Sequence, residues 1–363
     1  MPFDLRDFPG ASASDRAISR KSRRLVALWL FAVAAMILVM IGLGGATRLT
    51  GSGLSIMEWA PLMGALPPMS DAEWQRLFAL YQQIPQYSLV NHGFGIDGFR
   101  HIFWLEWTHR LWGRLIGVVF LGPLVWFVIT RRIERRMIVP LGVLFVLGGL
   151  QGAVGWFMVA SGFEPDSTAV SPYRLTVHLA LALLLYGATI WFALSVLNRP
   201  RLTLPRLRTL SWISLGFLGM TILAGGFVAG LHAGLDYNTF PLMAGQLVPA
   251  GYAELHPFVR NLTENIATVQ FDHRVLATLT LVMVTATATT GLVSASRHVL
   301  GGRLLMLAGA VALQYCLGVT TLLWVVPVEL ATAHQIGAIL LLTALLIVVH
   351  AVTARPAPGG GAG

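Results

Sequence analysis

The stretch Trp104-Leu105-Glu106-Trp107-Thr108-His109-Arg110-Leu111-Trp112-Gly113-Arg114 decides how this chain is read. It leads into a long apolar run and carries Glu106, His109, Arg110 and Arg114. Ionisable side chains at the mouth of a membrane span are costly to place, so their presence points to a site. Glu106 and His109 stand on one face of a helix, one turn apart.

The rest of the chain supplies the membrane. Of 363 residues, 56% are hydrophobic and 11% are charged, which excludes an ordinary soluble domain. A spanning helix needs about 20 mostly apolar residues. Eight runs qualify, at 25–46, 107–130, 138–159, 175–197, 209–230, 272–294, 302–325 and 331–352. The first follows a charged tail and is long enough to span, so it reads as a retained helix and not as a cleaved signal.

The net charge of +9 does not mark a nucleic-acid binder. Its basic residues cluster at Arg20–Arg24, Arg131–Arg136, Arg199–Arg208 and Arg297–Arg303, in alternate connections. The positive-inside rule then places both termini in the cytoplasm and the long segments 47–102 and 231–271 outside. The single cysteine, Cys316, excludes an internal disulfide; a buried, small apolar role is expected for it.

The second half copies the first. Gly44-Gly45, Gly53-Leu54 and Pro61-Leu62-Met63 recur as Gly225-Gly226, Gly234-Leu235 and Pro241-Leu242-Met243. His109-Arg110 recurs as His273-Arg274, Leu150-Gln151 with Gly155 as Leu313-Gln314 with Gly318, and Thr176-Val177-His178 as Thr332-Ala333-His334. An ordered match of this kind marks a duplication. Four helices per copy return the chain to its starting side, so the repeats are parallel, related by an axis along the membrane normal. The expected architecture is an all-α integral membrane protein: eight transmembrane helices as two tandem, parallel-repeat four-helix bundles. A tail (1–24) precedes the first repeat (25–197), a cytoplasmic linker (198–208) leads to the second (209–352), and a second tail (353–363) follows.

Four histidines, His109, His178, His273 and His334, fall near the expected outer starts of helices two, four, six and eight. Two imidazoles from two helices of one bundle suit the axial positions of a heme. A lone histidine at a helix mouth is more often interfacial; four at equivalent positions are not. Zinc fits less well, because it takes three or four ligands at one site. The copies differ where it matters: three residues before His273 stands Gln270, not a glutamate. A carboxylate can take up a proton or stabilise a cation, so Glu106 equips the first half for chemistry. Arg48, Arg110, Arg114 and Arg274 suit the two propionates of a heme and equally suit snorkelling. His92, His101, His232, His256, His298 and His350 read as loop or interface residues. Trp59, Trp74, Trp104, Trp107 and Trp112 read as an outer aromatic belt. No glycine-rich phosphate loop follows a strand.

These residues together resemble the heme A synthases of the alphaproteobacterial and mitochondrial type, over nearly the whole chain. The resemblance is carried by Gly44–Ser55, Glu106–Arg114, Tyr237–Met243, Glu264-Asn265 with Thr268–Arg274, and Thr332–Gln335. It implies an oxidoreductase of the inner membrane that converts the C8 methyl of heme O to a formyl group, giving heme A for cytochrome c oxidase. It implies that His109 and His178 hold the substrate heme near the periplasmic face, that His273 and His334 ligate a cofactor heme b, and that Glu106 is catalytic. Heme O synthase, cytochrome c oxidase assembly factors, membrane lipid and an electron acceptor are the implied partners. The chain lacks the outer cysteine pair of Bacillus-type members, and His232 stands where relatives often carry another polar residue. Two other readings stay open: a di-heme cytochrome b that only moves electrons, and a heme carrier.

Overall fold

The computed structural model describes residues 19–353, apart from 62, 166, 198–201 and 295. Most of the expected N-terminal tail, part of the linker and nearly all of the C-terminal tail lie outside the described residues. Arg20–Arg24 do not belong to a tail: they form the first turns of a helix that Ser19 caps, its hydroxyl accepting from the Ser22 N–H at 3.1 Å.

Among the described residues, eight helices are long and apolar enough to cross a membrane. They are α1 (Arg20–Leu49), α2 (Ile96–Ile129), α3 (Arg135–Ala160), α4 (Pro172–Val196), α5 (Pro205–Gly230), α6 (Ile266–Leu292), α7 (Arg297–Leu323) and α8 (Val328–Val352). Each corresponds to one expected apolar run. The helices overrun those runs because caps and polar turns extend them. Asn265, for example, starts α6 by accepting from the Thr268 N–H at 3.0 Å, which satisfies one orphan donor of the first turn.

The packing forms two rings. α1 lies against α2 and α4, and α3 closes the ring against the same two helices. α5 and α7 do the same with α6 and α8. The rings meet where α1 touches α8, α4 touches α5, and α4 touches α8. Exchanging α1 with α5 and α4 with α8 leaves this set of contacts unchanged, as two parallel repeats about one axis require. Lipid tails are as apolar as leucine, so helices associate in a bilayer through close packing and polar contacts. The junction has both. Ile41, Tyr186, Leu341 and Leu345 are buried in one cluster, and the Tyr186 hydroxyl meets Thr343 Oγ1 at 2.6 Å across α4 and α8. At the C-terminal ends of α1 and α5, Arg48 Nη1 donates to the Ala229 carbonyl at 2.9 Å. Counted from the glycine pairs Gly44-Gly45 and Gly225-Gly226, Arg48 and Ala229 hold the same place in the two repeats.

Outside the first ring, a short helix, Asp71–Tyr81, folds over α2. Trp74, Leu77, Tyr81, Phe99 and Phe103 form a buried cap there. Trp74 is thus a core residue of the cap and not part of a lipid-facing belt, because Phe99 and Phe103 on the α2 extension cover it. Trp112 also turns inward, donating to the Met36 carbonyl at 2.9 Å. Two further expectations fail. Cys316 is exposed on α7, where surrounding lipid can replace a protein interior. His350 is buried within α8, 3.1 Å from Ser195 Oγ, because α8 is the most enclosed of the eight helices.

A Cβ added at Gly230 would lie 2.7 Å from Pro172 Cα, which is backbone and cannot swing aside. Gly230→Ala is therefore expected to lower the thermal midpoint in detergent, at an overpacking cost of about 1–3 kcal/mol. Gly149→Ala, with no neighbouring atom within 4 Å, should leave the midpoint unchanged. Equal midpoints for the two variants would contradict a tight α4–α5 contact.

Candidate functional site

His178, His273 and His334 lie near the starts of their helices, and His109 lies deeper along its own. α2 begins at Ile96, so His109 lies about 20 Å along the helix at 1.5 Å per residue. The polar residues Asp97, Arg100 and His101 hid this early start from a hydropathy reading. His178, His273 and His334 lie about two turns into α4, α6 and α8.

One contact seats all four rings. Each imidazole packs against a glycine of the preceding spanning helix. A Cβ at Gly44 would lie 3.1 Å from His109 Cε1, and one at Gly225 would lie 3.1 Å from His273 Cε1. The corresponding distances are 2.9 Å for Gly155 and His178 and 2.8 Å for Gly318 and His334. A methyl group in any of these places would press on the ring and force it to shift. Two glutamines add a second hold. Gln151 Nε2 donates to the His178 carbonyl at 3.0 Å, and Gln314 Nε2 donates to the His334 carbonyl at 3.0 Å. The sequence marked these glutamines only as repeat partners; their equivalent placement was the signal of a site role.

α2 stands diagonally across the first ring from α4, as α6 does from α8 in the second. His109 and His178 lie within electrostatic reach of one another, and so do His273 and His334. Each ring thus holds its own pair. The pairs differ in how they are held. His273 Nδ1 lies 3.1 Å from the Thr221 carbonyl, and His334 Nδ1 lies 3.1 Å from Gln314 Nε2. In the first ring, Gln151 Nε2 lies 3.4 Å from His178 Nε2, the counterpart of the Gln314–His334 contact, while Nδ1 of His109 and Nδ1 of His178 are buried without a hydrogen-bond partner among the described residues. A ring nitrogen fixed by a carbonyl sets which nitrogen is left for a ligand.

Glu106 is 2% exposed, and five donors converge on it. Oε2 accepts from the Ser55 N–H at 2.7 Å, the Ser55 hydroxyl at 2.7 Å and the Ile56 N–H at 3.0 Å. Oε1 accepts from Arg110 Nε at 3.1 Å and from Nη2 at 2.6 Å. Gln270, also 2% exposed, meets the opposite polarity. Its Nε2 donates to the Ala233 carbonyl at 2.7 Å and to the Asp236 carbonyl at 2.5 Å. The loops that follow α1 and α5 therefore turn N–H groups toward the glutamate and C=O groups toward the glutamine.

The arginines hold the same loops. Arg110 donates to the carbonyls of Ile56 and Glu58, and Arg274 to those of Tyr237 and Thr239. Arg114 donates to Ala60 and Pro61. Nη1 of Arg114 and Nε of Arg274 are buried without a partner among the described residues, so each retains donor capacity. His232 ends α5 in a left-handed conformation, φ 54°, in the repeat place of Gly51, φ 67°. Burial and the nearby Arg48 hold the His232 imidazole below its ordinary pKa.

Among the described residues, no group of three or more His, Cys, Asp and Glu side chains is arranged to enclose a bare metal ion. Two imidazoles facing across an apolar four-helix ring, with spare ring nitrogens and spare guanidinium donors nearby, fit a flat macrocycle with two axial ligands and acidic side arms.

Glu106→Gln is expected to free the loop that follows α1 despite its equal size. The new amide group would face N–H donors and leave at least one of them unsatisfied, at about 1–3 kcal/mol. Hydrogen exchange at Ser55 and Ile56 should rise. Gln270→Glu should loosen Ala233–Asp236 for the converse reason. Unchanged exchange in both variants would count against the opposed polarity of the two loops.

Residues 27–346 match the family model COX15-CtaA, described as cytochrome oxidase assembly protein. A protein of Granulibacter bethesdensis named heme A synthase is 64% identical over 338 residues, 91% of this chain and 88% of that protein. One of the same name from Parvibaculum lavamentivorans is 48% identical over 90% of this chain and 93% of its own. Heme A synthase 2 of Acidiphilium cryptum is 45% identical over 96% of both. The chain belongs to the COX15-CtaA family of cytochrome oxidase assembly proteins.

Proposed function

We propose that this protein is a heme A synthase, oxidising the C8 methyl group of heme O to the formyl group of heme A for cytochrome c oxidase. The observation that carries the reading is the pair of unlike halves: the same histidine lock is built twice, with a carboxylate in one copy and an amide in the other. The names borne by relatives at 45–64% identity support it.

In this reading, residues 25–197 form the catalytic half and residues 209–352 the cofactor half. His109 and His178 hold the substrate heme. Nδ1 of each lacks a partner among the described residues, and His178 keeps a contact from Nε2 to Gln151 at 3.4 Å. His273, with Nδ1 beside the Thr221 carbonyl, and His334 would hold a resident heme b. Heme b, when bound there, would supply a one-electron redox centre. Arg48, Arg110, Arg114 and Arg274 are the propionate contacts, the last two through the donors they retain.

Glu106 is the catalytic carboxylate. Of its five donors, two are backbone N–H groups and two belong to a guanidinium; neither kind can accept. Only the Ser55 hydroxyl can rotate and become an acceptor. Proton uptake by Glu106 therefore takes place at Oε2, with Ser55 turning to receive the new O–H. Between uptake events Arg110 holds Oε1 and fixes the carboxylate relative to His109.

The protein lies in the bacterial inner membrane with both termini in the cytoplasm and both heme sites toward the periplasmic side. Heme O, with its long apolar tail, enters the first ring from lipid. Heme O synthase upstream, oxidase assembly factors downstream and an electron acceptor are the partners.

Co-expression with a heme O synthase, followed by heme extraction and chromatography, tests the reading. Heme A should form. Glu106→Ala should retain heme b and form no heme A, whereas His273→Ala or His334→Ala should lower heme b content. Heme b and unchanged heme O alone, from folded protein with an acceptor present, would overturn the assignment.

A further inference from the structure

The two rings touch through two equivalent crossings, and the crossings are built differently. At one, α4 meets α5: a Cβ at Gly226 would lie 3.0 Å from Thr176 Oγ1 and 3.3 Å from Leu179 Cδ2. Thr176 is satisfied within its own helix, donating to the Pro172 carbonyl at 2.8 Å. The residue after His178 is therefore apolar and the contact is plain packing. At the other crossing, α8 meets α1, and the residue after His334 is Gln335. Its Nε2 donates to the Ile41 carbonyl at 2.9 Å. A Cβ at Gly45 would lie 2.2 Å from Gln335 Oε1 and 2.9 Å from its Cδ, so the amide lies on the α1 backbone where only glycine leaves room. One turn before Gln335, Thr332 Oγ1 is buried without a partner among the described residues, whereas its repeat counterpart Thr176 is bonded.

Plain packing does not account for this. The same helix pair, one repeat earlier, packs with leucine. A polar side chain inside a span is costly and marks a functional position by default. Position supplies the function. Gln335 adjoins His334, a ligand of the second site. Gly45 adjoins Gly44, on which the His109 ring of the first site rests. Four consecutive contacts (His334 to Gln335, Gln335 to Gly45, Gly45 to Gly44, Gly44 to His109) join the two sites across the junction, and this route, unlike its counterpart through Leu179 and Gly226, includes a hydrogen bond.

We propose that Gln335 is a positioning residue that couples the two histidine sites, so that a displacement of α8 at His334 moves the seat of His109. The coupling rests on the assignment of a resident heme to the second ring. Coupling between sites is reciprocal: occupation of the first site must shift the midpoint potential of the heme held by His273 and His334. An amide bonded across the junction transmits such a displacement; a methionine of similar length does not.

The test is potentiometric titration of heme b in the purified, full-length holoprotein, with and without zinc-substituted heme O as a redox-silent occupant of the first site. The wild-type protein should show a shift in the heme b midpoint on adding the zinc compound. Gln335→Met should keep its full heme b content and bind the zinc compound, followed by its fluorescence, yet lose the shift. Gly45→Ala, which displaces the amide from the α1 side, should give the same loss and keeps the test decisive if the first variant does not fold. A wild-type midpoint that ignores the zinc compound, or a shift that survives in both variants, overturns the coupling. Wild-type protein that carries no heme b overturns the resident-heme assignment, and the coupling falls with it.

Discussion

Both sites depend on imidazole rings resting against bare helix backbone. A side chain that hydrogen-bonds inside a bilayer must be held by protein, since no water is at hand to satisfy it. Here the hold is steric before it is polar: glycines in α1, α3, α5 and α7 receive the histidines of α2, α4, α6 and α8. Small residues let helices approach closely in lipid, and each glycine serves that purpose and seats a ring as well. The pairing of each odd-numbered helix with the even-numbered helix that follows it is fixed by these contacts.

Once the rings are seated, chemistry is distributed by hydrogen bonding. The first ring leaves its Nδ1 atoms unpartnered and gathers five donors on a carboxylate. The second ring holds its Nδ1 atoms and points two carbonyls at an amide. A single change of residue type, from acid to amide, is matched by a reversal of the loop backbone facing it. The loops and the buried pair form one unit in each half, with Arg110 and Arg274 as equivalent clasps. The segments that follow α1 and α5 hold the polar residue of each site as well as covering it.

Much of this was legible in the sequence. The eight spans, the duplication, the four histidines and the Glu106–Gln270 contrast all follow from apolar runs and ordered matches, because membrane burial and repetition leave strong one-dimensional traces. What was not legible depends on three-dimensional facing. Trp74 and Trp112 look like interface residues until the Asp71–Tyr81 helix and α1 are seen to cover them. Cys316 looks like a core thiol because lipid and protein interior select the same side chains; only packing says which it faces. The depth of His109 was missed because the first turns of α2 are polar and lie above the apolar run. Gln335 follows a conspicuous histidine and gave no signal, since its partner is a backbone carbonyl of a helix nearly three hundred residues earlier.

Arg48 illustrates what an axis of symmetry forbids. It bonds to Ala229, which holds its own place in the other repeat. Residues that lie beside a two-fold axis meet their counterparts, so a strictly symmetrical version of this protein would set two guanidinium groups face to face in a poorly hydrated setting. Like charges at such a separation repel strongly where the dielectric is low. One copy can carry the cation only if the other gives up its side chain and offers a carbonyl. The axis thus makes the two halves unequal at its own location, whatever each half binds, and an identical pair of separate four-helix subunits could not reproduce that junction.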